Sequence, residues 1–257
     1  MSGFIYLGAS RFALDALEEI LSVTKQPILC LIDSEMTEHK INLITKRFPN
    51  QNLEEKIFDS LLLKDATFIN FLSTLEPSFA MSVHFSDILK KDFISIPKYG
   101  VGNIHASYLP YNRGHWPEIW SIYNNQTAGV TIHYIEEGID TGSIIAQRKV
   151  KILPEDTSET LYKKIEIYGL ELLRSNWNNM VSGKSTSSKQ KEKYALNQAK
   201  DIESISEILL DKTYSGYEII NQIRALTIPS YLKGAYFKDP KTGEKIRVRI
   251  VLERDKN

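Results

Sequence analysis

The stretch from Tyr99 to Val150 holds three side chains whose types suit acid/base work together: Asn103, His105 and Asp140. Asn103 and His105 flank a single residue, and on an extended strand positions i and i+2 share one face. Gly100, Val101, Gly102 and Ile104 suit a short buried strand, which Leu109-Pro110 ends. Asp140 lies in Glu136-Glu137-Gly138-Ile139-Asp140-Thr141-Gly142, a turn-prone loop between two β-like runs. A carboxylate there that reaches the imidazole fixes its tautomer and raises its pKa. An amide and an imidazole are then left to face a reacting carbonyl. The bland account is that a lone Asn-x-His satisfies backbone hydrogen bonds at a strand end, and the spacing alone does not separate the two.

Those residues need elements to carry them. Gly3 to Leu7 reads as a buried first strand, and Gly8-Ala9-Ser10 turns it into an amphipathic helix through Ala13, Leu14, Leu17, Ile20 and Leu21. Pro27 to Asp33 is a second buried strand, and this strand–helix–strand opening predicts a mostly parallel, doubly wound, Rossmann-like α/β sheet. The first turn has one glycine and lacks the GxGxxG fingerprint, which argues against a nicotinamide cofactor. Ser10 and Arg11, at the head of that helix, suit a substrate phosphate, and an N-cap with a solvated arginine accounts for them equally. Helical spacing recurs over 35–48 and 65–75, with a short strand between. Ser78 to Phe85 is the next strand, and Ser86 to Leu89 is expected to open a helix. His84, at the strand end, is a ligand contact or a satisfied histidine.

Beyond Leu109-Pro110, Pro117 suits the first turn of a helix containing Trp120, which reads as core. Val130 to Ile135 and Ser143 to Ile152 are partner strands around the Asp140 loop, which is long for a tight hairpin. His133, on the first of these, reads as structural. His105, His115 and His133 match no metal-ligand spacing, so no metal is expected. An amphipathic helix runs from Ser158 through Trp177. The polar run that follows reads as a linker over 184–193, between a unit of residues 1–183 and a smaller one of 194–257. In the smaller unit, Thr213 to Leu226 is a helix. Asp239-Pro240-Lys241-Thr242-Gly243 then turns a terminal β-hairpin with Ile246, Val248, Ile250 and Leu252 on one face. An apolar hairpin needs cover, and a homodimer through it is the expectation.

Composition narrows the function classes. The 257 residues include 32 basic and 32 acidic side chains, which argues against a chain built to neutralise many phosphates, so no nucleic-acid partner is expected. Cys30, the only cysteine, sits in an apolar run and reads as a buried thiol. No apolar run approaches membrane-spanning length and the N-terminus carries no signal-peptide pattern, so a cytoplasmic protein without a membrane partner is expected.

Asn103-Ile-His105-Ala-Ser107-Tyr-Leu109-Pro110, then Arg113-Gly114, Gly129-Val-Thr131 and Gly138-Ile-Asp140-Thr-Gly142 resemble, in order and spacing, the signature of folate-dependent formyltransferases. That family formylates methionyl-tRNA, glycinamide ribonucleotide and nucleotide-linked amino sugars. The resemblance implies that Asn103, His105 and Asp140 are catalytic and that 10-formyltetrahydrofolate is the cosubstrate. It places folate contacts at Phe85, Ile88, Leu89, Gly138 and Asp140, and gives the loop around His84 a part in substrate contact. Near the C-terminus, Arg224-Ala225, Pro229 and Gly234-Ala235 again resemble the family, and Tyr231 and Tyr236 are there to stack a nucleobase, or simply to pack.

Trp116-Pro117-Glu118-Ile119-Trp120 departs from the small residues of the tRNA enzymes and looks more like the nucleotide-sugar enzymes, with Trp116 as a pocket wall. The resemblance therefore implies a nucleotide-linked amino sugar as acceptor, a dTDP-linked 3- or 4-amino-dideoxyhexose for surface polysaccharide such as the O-antigen of lipopolysaccharide. Arg224 joins Ser10, Arg11, His84, Trp116, Tyr231 and Tyr236 among the expected substrate contacts. Two alternatives stand beside this: a methionyl-tRNA formyltransferase with a reduced C-terminal domain, and a non-catalytic folate or nucleotide-sugar binder.

Overall fold

The computed structural model describes residues 3–191, 194, 196–228 and 234–255; Tyr231 lies outside them. Eleven strands and eight α-helices follow one another among these residues. The order opens with β1 (Phe4–Leu7), α1 (Arg11–Val23), β2 (Ile28–Asp33), α2 (Glu38–Arg47), β3 (Ile57–Asp59), α3 (Ala66–Thr74), β4 (Phe79–Val83), α4 (Lys91–Ile94) and β5 (Val101–His105). It continues through β6 (Arg113–Gly114), α5 (Pro117–Tyr123), β7 (Ala128–Tyr134), β8 (Ile144–Val150) and α6 (Ser158–Val181). The last elements are β9 (Leu196–Asn197), α7 (Glu203–Ser206), α8 (Gly216–Ala225), β10 (Tyr236–Lys238) and β11 (Lys245–Arg247).

Seven strands form one sheet in the order β3-β2-β1-β4-β5-β7-β8. The β3, β2, β1, β4 and β5 strands run parallel, and β7 joins β5 antiparallel. The α/β fold expected from the opening strands is thus present, wound both ways from β1. Side-chain alternation explains how both faces are filled. Ile5, Leu7, Cys30, Ile32, Ala80 and Val101 form one buried cluster with Phe68 and Leu72 of α3 and Phe93 of α4. On the other side Tyr6 donates its hydroxyl to the Ala13 carbonyl of α1 at 2.5 Å. Phe4 and Phe79 meet the Trp177 indole of α6 at 4.8 and 6.1 Å between ring centres.

The chain divides into two compact units, each made of three stretches. One comprises Met1–His105, Thr131–Gln147 and Gly169–Gln190; the other comprises Ala106–Val130, Arg148–Tyr168 and Lys191–Asn257. In the second, α5 packs on α8. Gln222 of α8 donates to the carbonyls of Ile205 and Glu207 at 2.8 and 3.2 Å, and Ser158 donates to the Thr227 carbonyl. By contacts, residues 184–190 group with the first unit.

Two expected elements differ. Ser86 to Leu89 opens no helix: His84 takes a left-handed φ of 52°, which turns the chain off the strand line. Asp87 accepts from Ser60 Oγ rather than capping a helix, and helix begins only at Lys91. The terminal hairpin is shorter than its apolar pattern suggests. Three residue pairs join β10 to β11, and beyond them the Ile250 N–H goes to Thr227 Oγ1. Ile246, Val248, Ile250 and Leu252 therefore do not share a strand face.

Candidate active site

The strand order reverses between β1 and β4, the position at which open α/β sheets hold ligands, and β5 ends beside β4. Gly8 makes the approach of the β1 turn possible, because a Cβ there would stand 2.0 Å from the Val83 carbonyl oxygen. The chain then turns into α1, with Ser10 as N-cap accepting from the Ala13 N–H. Ser10 Oγ also lies 3.3 Å from His84 Nδ1, and the His84 ring packs on Phe12 at 4.9 Å. His84 is open to solvent but has protein around it on many sides. Burial, then the nearby Arg11 and His105, lower its imidazole to about 4, so it is neutral at pH 7.

The neighbouring strand carries the catalytic candidates. Register pairs Ser82 with Asn103 and Val83 with Ile104, so His105 is the next step along from Ile104 as His84 is from Val83. Across the antiparallel side, Asn103 faces His133 and His105 faces Thr131. His133 Nδ1 lies 2.8 Å from the Tyr134 carbonyl, which only an N–H can satisfy. In the neutral ring Nε2 is then an acceptor, and Asn103 Nδ2 donates to it across 3.2 Å. That bond orients the Asn103 amide.

Asp140 sits above both rings with a left-handed φ of 53°. Its Oδ2 lies 3.6 Å from His105 Nδ1 and its Oδ1 3.4 Å from His133 Nε2. The first distance is that of an ion pair, longer than a hydrogen bond. All three side chains are largely withdrawn from solvent, Asp140 at 12 % exposure and His133 at 3 %. An imidazolium formed at His105 would meet a carboxylate in surroundings that screen it little. The loop is held by Thr141 Oγ1 donating to Glu137 O and by Ser143 donating from N and Oγ to Glu136 Oε1.

The first unit thus brings Asn103, His105 and Asp140 together and adds His133. The sequence reading took His133 as structural. The available signal was the polar pair Thr131 and His133 alternating with Val130 and Ile132 on the strand beside Asn103. Of the expected folate contacts, Ile88 is 84 % exposed, Leu89 is buried in the apolar cluster and Phe85 packs against it. Gly138 takes a φ of 106° in the Asp140 loop.

The expected substrate residues of the second unit are placed as follows. Trp116 is half-buried ahead of α5 with a φ of 59°. Arg224 is buried: its Nε donates to Asn221 Oδ1 and its Nη1 to the Leu153 and Pro154 carbonyls, which are structural bonds. Tyr236 donates to Glu207 and has Lys245 and Arg247 over its ring. Among the described residues no group of three or more His, Cys, Asp or Glu is arranged to hold a metal, and no helix is long and apolar enough to cross a membrane.

An amide, two imidazoles and a carboxylate thus meet at the end of β5, one strand from the switch point between β1 and β4. The chain belongs to the formyl transferase family: residues 18–175 match that family, and residues 201–254 match the N-formyltransferase dimerization C-terminal domain. A methionyl-tRNA formyltransferase of Listeria welshimeri is 30 % identical over 88 % of this chain and 73 % of its own length. That of Thermodesulfovibrio yellowstonii is 34 % identical over 71 % of this chain, which spans 60 % of that relative. A dTDP-4-amino-4,6-dideoxyglucose formyltransferase of Mycobacterium bovis is 35 % identical over 60 % of this chain and 65 % of its own. Among solved structures, a 4-N formyltransferase from Francisella tularensis superposes with a TM-score of 0.83 at 26 % identity, over 99 % of both chains. A sugar 3N-formyl transferase, WlaRD, solved with dTDP and 5-N-formyl-THF, gives 0.71 at 27 % identity, over 90 % of this chain and 81 % of that one.

Proposed function

We propose that this protein transfers a formyl group from 10-formyltetrahydrofolate to the amine of a nucleotide-linked amino sugar, with a dTDP-linked 3- or 4-amino-dideoxyhexose as the acceptor class. The observation that carries the reading is the meeting of Asn103, His105 and Asp140 at one edge of the sheet in a chain of this family. Likeness to a sugar 3N-formyl transferase solved with dTDP, over 90 % of this chain, supports the acceptor class. A formal net charge of zero supports it against a large polyanion.

The exposed Ile88 and half-buried Phe85, next to His84, offer apolar surface for a flat ring system. The folate supplies an activated formyl group. In the transfer, the sugar nitrogen bonds to the formyl carbon while that carbon's bond to the folate N10 breaks, and the proton lost by the amine ends on N10. His105 accepts and relays that proton. Asp140 holds Nδ1 of the same ring, and Asn103 donates its second amide hydrogen to the formyl oxygen as charge gathers there. The product is destined for surface polysaccharide, and a homodimer through the C-terminal region is supported by the dimerization-domain match.

Transfer to methionyl-tRNA is the second reading, favoured by the Listeria relative's match to 88 % of this chain. The deciding experiment follows tetrahydrofolate release from 10-formyltetrahydrofolate in the presence of dTDP-3-amino sugars, dTDP-4-amino sugars, a UDP-linked amino sugar or methionyl-tRNA. Release with one amino sugar identifies the acceptor. Release with tRNA alone rejects the sugar reading, and folate binding without release from any acceptor identifies a binding protein.

A further inference from the structure

The polar run after α6 carries no apolar pattern, yet it lies on the Asp140 loop. Ser188 and Ile144 exchange both backbone hydrogen bonds, at 2.8 and 2.9 Å, in an antiparallel bridge on β8, the last strand of the sheet order. Two residues on, the Gln190 amide reaches back. Its Nε2 donates to the Asp140 carbonyl at 2.8 Å and to the Gly142 carbonyl at 2.9 Å, which uses both of its hydrogens. The loop it grips is under constraint. Asp140 is left-handed, a conformation that non-glycine residues keep only where surroundings hold it. Gly142 is pressed so close to the Tyr134 carbonyl that a Cβ would stand 1.8 Å away.

We infer that Gln190 is a positioning residue: by clamping the carbonyls of residues 140 and 142 it fixes the Asp140 carboxylate against His105. The inference rests on the catalytic reading of that pair. It requires that the end of the catalytic unit lie at Gln190 rather than at the end of α6. One nitrogen holding two carbonyls, two residues past the Ser188–Ile144 bridge, ties the Asp140 loop to residues 188–190. Loss of that tie leaves a site with all its groups present but misplaced, a fault that costs turnover more than affinity.

The test uses the full chain with Gln190→Ala and Gln190→Glu. The second keeps the side-chain volume but sets a carboxylate against two carbonyl oxygens. Expected are a fall in kcat of about 10- to 100-fold, acceptor and folate KM within about threefold of wild type, and an unchanged far-UV spectrum. In histidine-ring NMR, the His105 signal, assigned through His105→Gln, is expected to move in position and titration while those of His39 and His115 stay. Wild-type kcat in both variants overturns the inference, as does an unmoved His105 signal. A fall in melting temperature together with lost folate binding also overturns it, since that marks a merely structural residue. If wild type releases no tetrahydrofolate with any amine, the functional reading fails separately, and the NMR result still decides whether Gln190 sets the Asp140–His105 pair.

Discussion

Asp140 stands between two imidazoles that do different work. With a neutral ring, His133 gives Nδ1–H to the Tyr134 carbonyl and accepts the Asn103 amide on Nε2, which orients Asn103. On the proposed mechanism His105 is the proton carrier, with Asp140 Oδ2 on its Nδ1 side. Asp140→Asn keeps the shape but removes the charge that stabilises an imidazolium. Expected is a loss of at least about a hundredfold in kcat, checked by steady-state rates. His105→Ala is expected to be no faster, and wild-type rates in either variant would end the assignment. Strand spacing and a turn-prone loop let Asn103, His105 and Asp140 meet, but it was the resemblance to folate-dependent formyltransferases that singled them out. His133 was not legible. Its part comes from cross-strand register, which pairs residues 30 apart in the chain, and no local pattern encodes that pairing.

At the scale of elements, the Asp140 loop depends on Gly142. The 1.8 Å approach to the Tyr134 carbonyl leaves no room for a methyl group, so Gly142→Ala must push the loop off its seat. Expected is a loss of turnover comparable to that of Asp140→Asn, with a melting temperature within a few degrees of wild type. A thermal melt beside the rate assay checks it, and an active Gly142→Ala would show that the loop does not need this height. Helix α5 carries a different constraint, since it buries Glu118 in its first turn. Burial raises that carboxyl from 4.5 to about 7. Between those pH values the folded state holds a proton that the unfolded state has released. This contribution to stability is therefore full below about 4.5 and is lost as pH rises through about 7. Glu118→Gln is expected to flatten the decline in melting temperature between pH 5 and 8, while an equal slope would mean that another group carries it. The buried strands and long helices were legible from apolar runs and spacing. The terminal β10–β11 hairpin was legible from its Asp239-to-Gly243 turn; the loop after His84 and the shortness of that ladder were not, because one left-handed residue decides the first and the Ile250 N–H donated to Thr227 Oγ1 the second.

At the scale of the molecule, the apolar cluster around β1 and β2 closes over Cys30, whose thiol burial pushes up to about 12. A thiol in that state is neither ionised nor reached at pH 8. Cys30 is expected to resist a thiol reagent such as DTNB in the folded protein and to react at once in denaturant, so its labelling rate reports opening of the catalytic unit. Rapid labelling under native conditions would contradict the packing. The expected boundaries at 183 and 193 came from composition, which marks polar runs but not what they touch; Ser188 and Gln190 are polar residues with fixed places.

The interleaving of the two units bears on how the protein is made. The unit holding Asn103, His105 and Asp140 draws its last stretch from Gly169–Gln190, and two stretches of the other unit, Ala106–Val130 and Arg148–Tyr168, come ahead of it. A ribosome releases the chain from its N-terminus at roughly 5–20 residues per second. The first five sheet strands can therefore pair while translation continues, but the catalytic edge cannot close until Gln190 has cleared the exit tunnel. Through that interval the sheet lacks the Ser188 bridge to Ile144 and the Asp140 loop lacks its Gln190 hydrogen bonds.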